Sequence, residues 1–139
     1  MDWLVVKDGI AEGGSLSFDL RDVLRSLGPE ALDWAWTVAA VEENGEALEA
    51  VGEGWADLQA LERSGERVAG SRLVRIAERV EQVVWGEFRA YRERAAPEPC
   101  VRIVAFDGSC FEVWSDDGAI HDRLLARFKD AEFVAAPGR

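Results

Sequence analysis

Histidine, tyrosine and methionine each occur once in the 139 residues, and cysteine occurs twice. The single histidine, His121, stands beside Asp122 with no ligand or catalytic motif around it. A histidine-based catalytic site or metal centre needs several groups converging in space, and the sequence supplies no frame for one. It reads as a histidine on a helix flank. Two cysteines, Cys100 and Cys110, are too few for a disulfide scaffold. Asp107-Gly108, between Val104-Ala105-Phe106 and Phe111-Glu112-Val113, predicts a two-residue hairpin turn. In that register Phe106 opposes Ser109 and Cys100 opposes Ser115. The two cysteines then fall on opposite faces, roughly 17 Å apart along the sheet. A disulfide needs Cα atoms within about 7 Å, so two free thiols are expected.

Long apolar runs are missing too. The longest, residues 38–41 and 103–106, are far below the roughly 18–20 residues of a membrane span. Met1-Asp2-Trp3-Leu4 carries no basic region and no long apolar stretch, so the sequence predicts no signal peptide and a cytoplasmic location. No phosphate-cradling glycine loop, nucleophile elbow, zinc helix, EF-hand or paired CxxC occurs. No cofactor and no metal is expected, because the carboxylates lack ordered ligand spacing. Asp107-Gly108-Ser109 is a turn rather than a catalytic pairing, given the strand-forming residues on both sides. Glu42-Glu43 and Asp116-Asp117 are neighbours in sequence, and strand neighbours point to opposite faces and cannot share a proton. Asp116-Asp117 better matches the positive end of a helix dipole.

The most informative absence is of basic residues. Residues 26–62 hold no lysine or arginine but nine acids: Glu30, Asp33, Glu42, Glu43, Glu46, Glu49, Glu53, Asp57 and Glu62. The net charge of −11 lies entirely in residues 1–66, with 15 acids against 4 bases, while residues 67–139 balance at 12 each. Clustered like charge repels itself and creates a field that attracts a basic partner. The same charge disfavours nucleic acid, which needs a basic stripe. The arginines at 72, 75, 79, 89, 92 and 94 are interleaved with Glu78, Glu81, Glu87 and Glu93, the pattern of a salt-bridged surface.

What is present is periodic. Residues 3–7 and 32–42 read as strands, the second apolar on both faces and therefore central. Gly13-Gly14 marks a loop. Ser17 or Asp19 caps a helix to about Leu27, with Leu20, Val23, Leu24 and Leu27 on one stripe, ended by Gly28-Pro29. Asn44-Gly45 is a hairpin turn, and residues 46–51 return as a strand or begin a helix. Residues 55–63 form a helix with Trp55, Leu58 and Leu61 inward, and Ser71 caps another to about Gln82. Trp85-Gly86 is a turn or bulge before a strand over 87–94. The hairpin about Asp107-Gly108 follows. A helix capped by Ser115 or Asp116 then carries Ile120, Leu124 and Phe128, and 132–135 adds an edge strand. The fold class is α+β in a single domain, 1–139: an antiparallel sheet of about five to six strands with three to four helices packed mainly on one face.

The six tryptophans suit a shared core, and Trp34 and Trp36 lie on one strand face. Trp55, set among Gly52, Gly54 and Asp57, is the best candidate for an exposed anchor in an interface. The sequence therefore suggests an acidic protein-interaction module, binding through Glu42, Glu43, Glu46, Glu49, Glu53, Trp55 and Asp57. An inhibitor or immunity-type protein that docks onto a basic toxin or nuclease would use this design, with the field speeding encounter and the aromatics slowing release. The alternatives are a homo-oligomer that pairs edge strands such as 3–7 or 132–135, and a small enzyme or ligand-binding domain built on carboxylates.

Overall fold

The computed structural model describes residues 2–9 and 16–135, so the Gly13-Gly14 loop lies outside the described residues. The elements run β1 (Trp3–Val6), α1 (Leu20–Ser26), β2 (Ala35–Ala39), β3 (Glu49–Val51), α2 (Trp55–Ser64), β4 (Val68–Ala69), α3 (Gly70–Ala77), β5 (Gln82–Tyr91), β6 (Val101–Phe106), β7 (Cys110–Ser115), α4 (Gly118–Arg127) and β8 (Ala131–Val134). All pairings are antiparallel, in the order β4-β2-β5-β6-β7-β1-β8, with β3 also on β5. The α+β class stands, but the sheet has eight strands rather than five or six. The strand that no expectation covered is β4, two residues that are too few to show a period, while β3 is the short strand expected as one option for 46–51.

All four α-helices pack on one side of the sheet among the described residues. Their stripes, Leu20, Val23 and Leu24 of α1, Leu58 and Leu61 of α2, Leu73 and Ile76 of α3, and Ile120 and Leu124 of α4, form one cluster with Trp36, Val38, Phe88, Ile103, Phe111 and Val113 of the strands. Trp36 is fully buried, and its indole N–H donates to the Ala31 carbonyl at 3.0 Å. That leaves the tryptophan's one polar atom satisfied in the core. Gly70 makes room for this contact, because a Cβ there would lie 2.1 Å from the Ala31 oxygen.

Five local expectations are corrected. Asn44-Gly45 does turn, with Gly45 at φ 67°, but it closes only an isolated bridge between Val41 and Glu46. The following strand, β3, pairs with β5 instead of β2, and segment 46–51 contains that strand rather than a helix. α3 stops at Ala77, and Ser71 lies inside it; no side chain caps it. The four residues to Gln82 form a tight turn, in which Arg79 N–H donates to Ile76 O at 3.0 Å. The cap of α4 is Asp117, whose side chain accepts from the Ala119 amide. The 3–7 strand is interior, paired on both sides, so among the described residues β8 is the edge at that end.

The fifth correction is the register of the β6–β7 hairpin. Asp107 and Gly108 both take positive φ, 53° and 65°, and the Ser109 amide donates to Phe106 O at 3.0 Å, which completes the tight turn. Ser109 is then an extra residue, and Cys110 opposes Phe106. A one-residue slip moves a strand's side chains to the other face. Cys110 therefore lies on the side of Phe106, away from the helices, whereas Cys100, just before β6, sits in the helix-side core, so the two cysteines stay on opposite sides as expected and both are free thiols. The Trp85 irregularity is a bulge, because Glu49 opposes Trp85 whereas Ala50 opposes Val83. Gly86, just after it, faces the core where a Cβ would sit 2.9 Å from Leu48 Cδ1 and 3.2 Å from the Phe88 ring.

Candidate functional site

The predicted acidic residues decorate one end of the sheet. Glu42 and Glu43 lie in a 3-10 turn, Glu42–Asn44, that leaves β2. Reciprocal backbone hydrogen bonds of 2.9 and 3.1 Å between Val41 and Glu46 hold that turn closed. Glu49 follows on β3 opposite Trp85, Glu53 sits in the turn into α2, and Trp55 and Asp57 open that helix. Glu42, Glu43, Glu46, Glu49, Glu53 and Asp57 are all exposed. Trp55 is half-buried and packs against the core, which reduces its value as an anchor.

Part of this charge is neutralised from the second half of the chain. Glu30 pairs with Arg123, Asp57 with Arg79, and Glu43 with Arg102 at 3.4 Å. The Arg123 hydrogen bond holds the Glu30 carboxyl below its ordinary range. Glu42, Glu46, Glu49 and Glu53 make no ion pair among the described residues. These four carboxylates lie on the β2–β3 connection and the entry to α2, and Asp33 and Glu62 of the same stretch also make no ion pair among the described residues.

Sequence reasoning missed the face of the sheet that carries no helix. Along β6, Val101, Ile103 and Ala105 enter the core cluster, while Arg102, Val104 and Phe106 alternate to the other side. β7 contributes Trp114 opposite Arg102, and Glu112 opposite Val104. β5 contributes Glu87 opposite Val104 and Arg89 opposite Arg102. Glu87 and Glu112 are buried, at 3% and 2% exposure, even though no helix covers them. Arg102 donates from Nε to Glu87 at 3.0 Å, Arg89 pairs with the same carboxylate, and the Arg102 guanidinium lies 5.1 Å from the Trp3 ring. Trp85 and Phe106 pack with tilted rings, 4.9 Å between centroids. Buried charge needs such partners, and here flat aromatic and guanidinium groups supply the cover. The readable signal was the one charged residue inside each of two apolar strands, Arg102 in β6 and Glu112 in β7, on the side opposite to Ile103 and Val113.

Chemical groups are otherwise sparse. Burial pushes the Cys100 thiol above its ordinary value, which makes it a poor nucleophile. His121 is buried, with Nε2 3.2 Å from the Val113 carbonyl and its ring edge-on to Phe133. Among the described residues no group of three or more histidine, cysteine or acidic side chains is placed to hold a metal ion, and no helix is long and apolar enough to cross a membrane. No protein-family model, curated protein or solved structure matches the chain.

Proposed function

We propose that the protein is an acidic protein-interaction module that docks onto a basic protein, in the manner of an inhibitor or immunity-type protein. The observation that carries this is the set of exposed carboxylates at Glu42, Glu46, Glu49 and Glu53 with no cation partner among the described residues. Unpaired charge of one sign costs self-repulsion and gains only where an opposite charge meets it. Glu43 and Asp57, already held by arginines, frame the set and have less left to offer a partner. Glu49 opposes Trp85, so the acidic set borders the half-buried aromatic pair of Trp85 and Phe106. That pair, rather than Trp55, is the aromatic anchor this arrangement favours.

The test is to recover the basic partner with the intact protein, purify both and measure the association rate against ionic strength. A steered complex slows steeply as salt rises, because the Debye length shrinks from about 10 Å at 0.1 M to about 3 Å at 1 M. A rate independent of salt rejects the reading.

Self-association is the second reading, and one observation favours it. Among the described residues β8 is paired on one side only, and Phe133 on it is 48% exposed. Such an edge can add a strand from a second copy. A mass in solution that rises with concentration and falls in Phe133→Lys tests it.

A further inference from the structure

A crevice of about 290 Å³ lies where residues 16–19 pass the end of β3 and the start of β5, lined by Leu16, Phe18, Asp19, Val51, Glu81 and Gln82. Asp19 is 4% exposed. Its Oδ1 accepts the Val83 amide at 3.2 Å, whereas its Oδ2 is buried with no hydrogen-bond partner. An unpartnered buried acceptor is costly and rare in folded proteins. One water occupies about 30 Å³, so the space greatly exceeds what a single solvent molecule fills, and it approaches the roughly 300 Å³ at which small-ligand sites begin.

The geometry points to a binding site for a short aliphatic ammonium, with the charged head on Asp19 Oδ2 and the alkyl chain against Leu16, Phe18 and Val51. The chemistry selects that class. Among the described residues the ionisable side chains in the lining, Asp19 and Glu81, are both carboxylates, so anions are repelled. Leu16, Phe18 and Val51 give hydrocarbon walls that a hydrated metal ion would not use. An ammonium brings donors and a charge to the orphan oxygen, and charge-assisted hydrogen bonds are the stronger kind. Glu81 is exposed at the rim, where it suits the second head of a diamine. The crevice is rigidly walled at that point. The Glu81 amide donates to Val51 O at 2.7 Å, and Gly52, at φ 121°, permits the approach, since a Cβ there would stand 2.7 Å from the Glu81 nitrogen. Burial raises the Asp19 pKa to about 6, so near neutral pH the site presents a carboxylate ready for a cation.

The probes are butylammonium and 1,4-diammoniobutane, with neutral butanol as control, and the readout is the Val83 amide resonance, which senses Asp19 directly. Both ammonium probes shift it saturably at pH 7.5 and butanol does not. The diamine binds more tightly than the monoamine, and Glu81→Gln removes that difference. Asp19→Asn weakens both by about tenfold or more. Val51→Trp, at a position 50% exposed, fills the crevice and abolishes binding with the fold intact, which covers the case in which Asp19→Asn fails to fold. Lowering the pH to 5 weakens binding in the wild type. Besides Glu81 in the lining, Asp22, whose carboxylate accepts the Asp19 amide at 2.9 Å, and Arg21, which donates to Val80 O at 3.1 Å, act on Asp19 from outside the crevice. No saturable shift with either ammonium, an equal shift with butanol, or unchanged binding in Val51→Trp overturns the proposal.

Discussion

Arg102 on β6 holds its guanidinium 3.0 Å from the carboxylate of Glu87 on β5, a side chain only 3% exposed on the sheet face without helices. Removing one partner of a buried pair costs far more than the pair contributes, because the remaining charge is left uncompensated. Arg89 still reaches Glu87, so Arg102→Ala is expected to destabilise the fold by about 2–3 kcal/mol, below the roughly 3–5 kcal/mol of a completely stranded charge. The double variant Arg102→Ala with Glu87→Gln recovers part of that loss. Urea unfolding of the three proteins checks it.

Gly70→Ala tests the packing under Trp36. The added methyl must displace the Ala31 carbonyl, 2.1 Å away, and with it the acceptor of the Trp36 indole N–H. Overpacking a tight core costs about 1–3 kcal/mol, and the lost buried hydrogen bond adds about 1 kcal/mol. Calorimetry should show a lower midpoint for Gly70→Ala than for Gly118→Ala, where no atom lies within 4 Å of the new Cβ.

The two thiols should react at very different rates. Cys100 is 2% exposed and its thiol is pushed up by burial, while Cys110 is half-buried near the hairpin turn. Alkylation at pH 8 followed by peptide mapping is expected to label Cys110 first, with Cys100 labelled only on unfolding. Equal rates would contradict the burial of Cys100.

Asp19 sets a pH dependence. Its pKa rises from 3.8 to about 6 on folding, burial being the largest cause, opposed by the Val83 amide. The folded state therefore holds the proton more tightly than the unfolded chain does. The stability this contributes is complete below pH 3.8 and is lost as the pH rises through 6. The shift corresponds to roughly 3 kcal/mol. The stability of the wild type relative to Asp19→Asn should fall by that order between pH 4 and pH 7 in urea titrations, and a constant difference would contradict the burial of Asp19.

Much of this fold was readable from period and turn chemistry. The stripe Leu20, Val23, Leu24 and the stripe Ile120, Leu124, Phe128 point inward as the spacing demands. What was not readable came from tertiary context. Ser109 slips into the hairpin as an extra residue because the turn's hydrogen bond to Phe106 is satisfied before the ladder resumes. β3 joins β5 rather than β2 because the 3-10 turn at Glu42–Asn44 diverts the chain past the end of β2. Along the acidic stretch, sequence locates the carboxylates but is silent on which arginines reach them. Arg102, Arg79 and Arg123 lie 59, 22 and 93 residues from their partners Glu43, Asp57 and Glu30, separations beyond any local rule.

Docking through the acidic residues is tested most directly by the rate at which the purified basic partner associates with the wild type and with the triple variant Glu42→Lys, Glu46→Lys, Glu49→Lys at low salt. The association rate is expected to drop by about tenfold or more, with an unchanged unfolding midpoint. Equal rates for the two proteins would contradict it, and the unpaired carboxylates of the β2–β3 connection would then serve solubility alone.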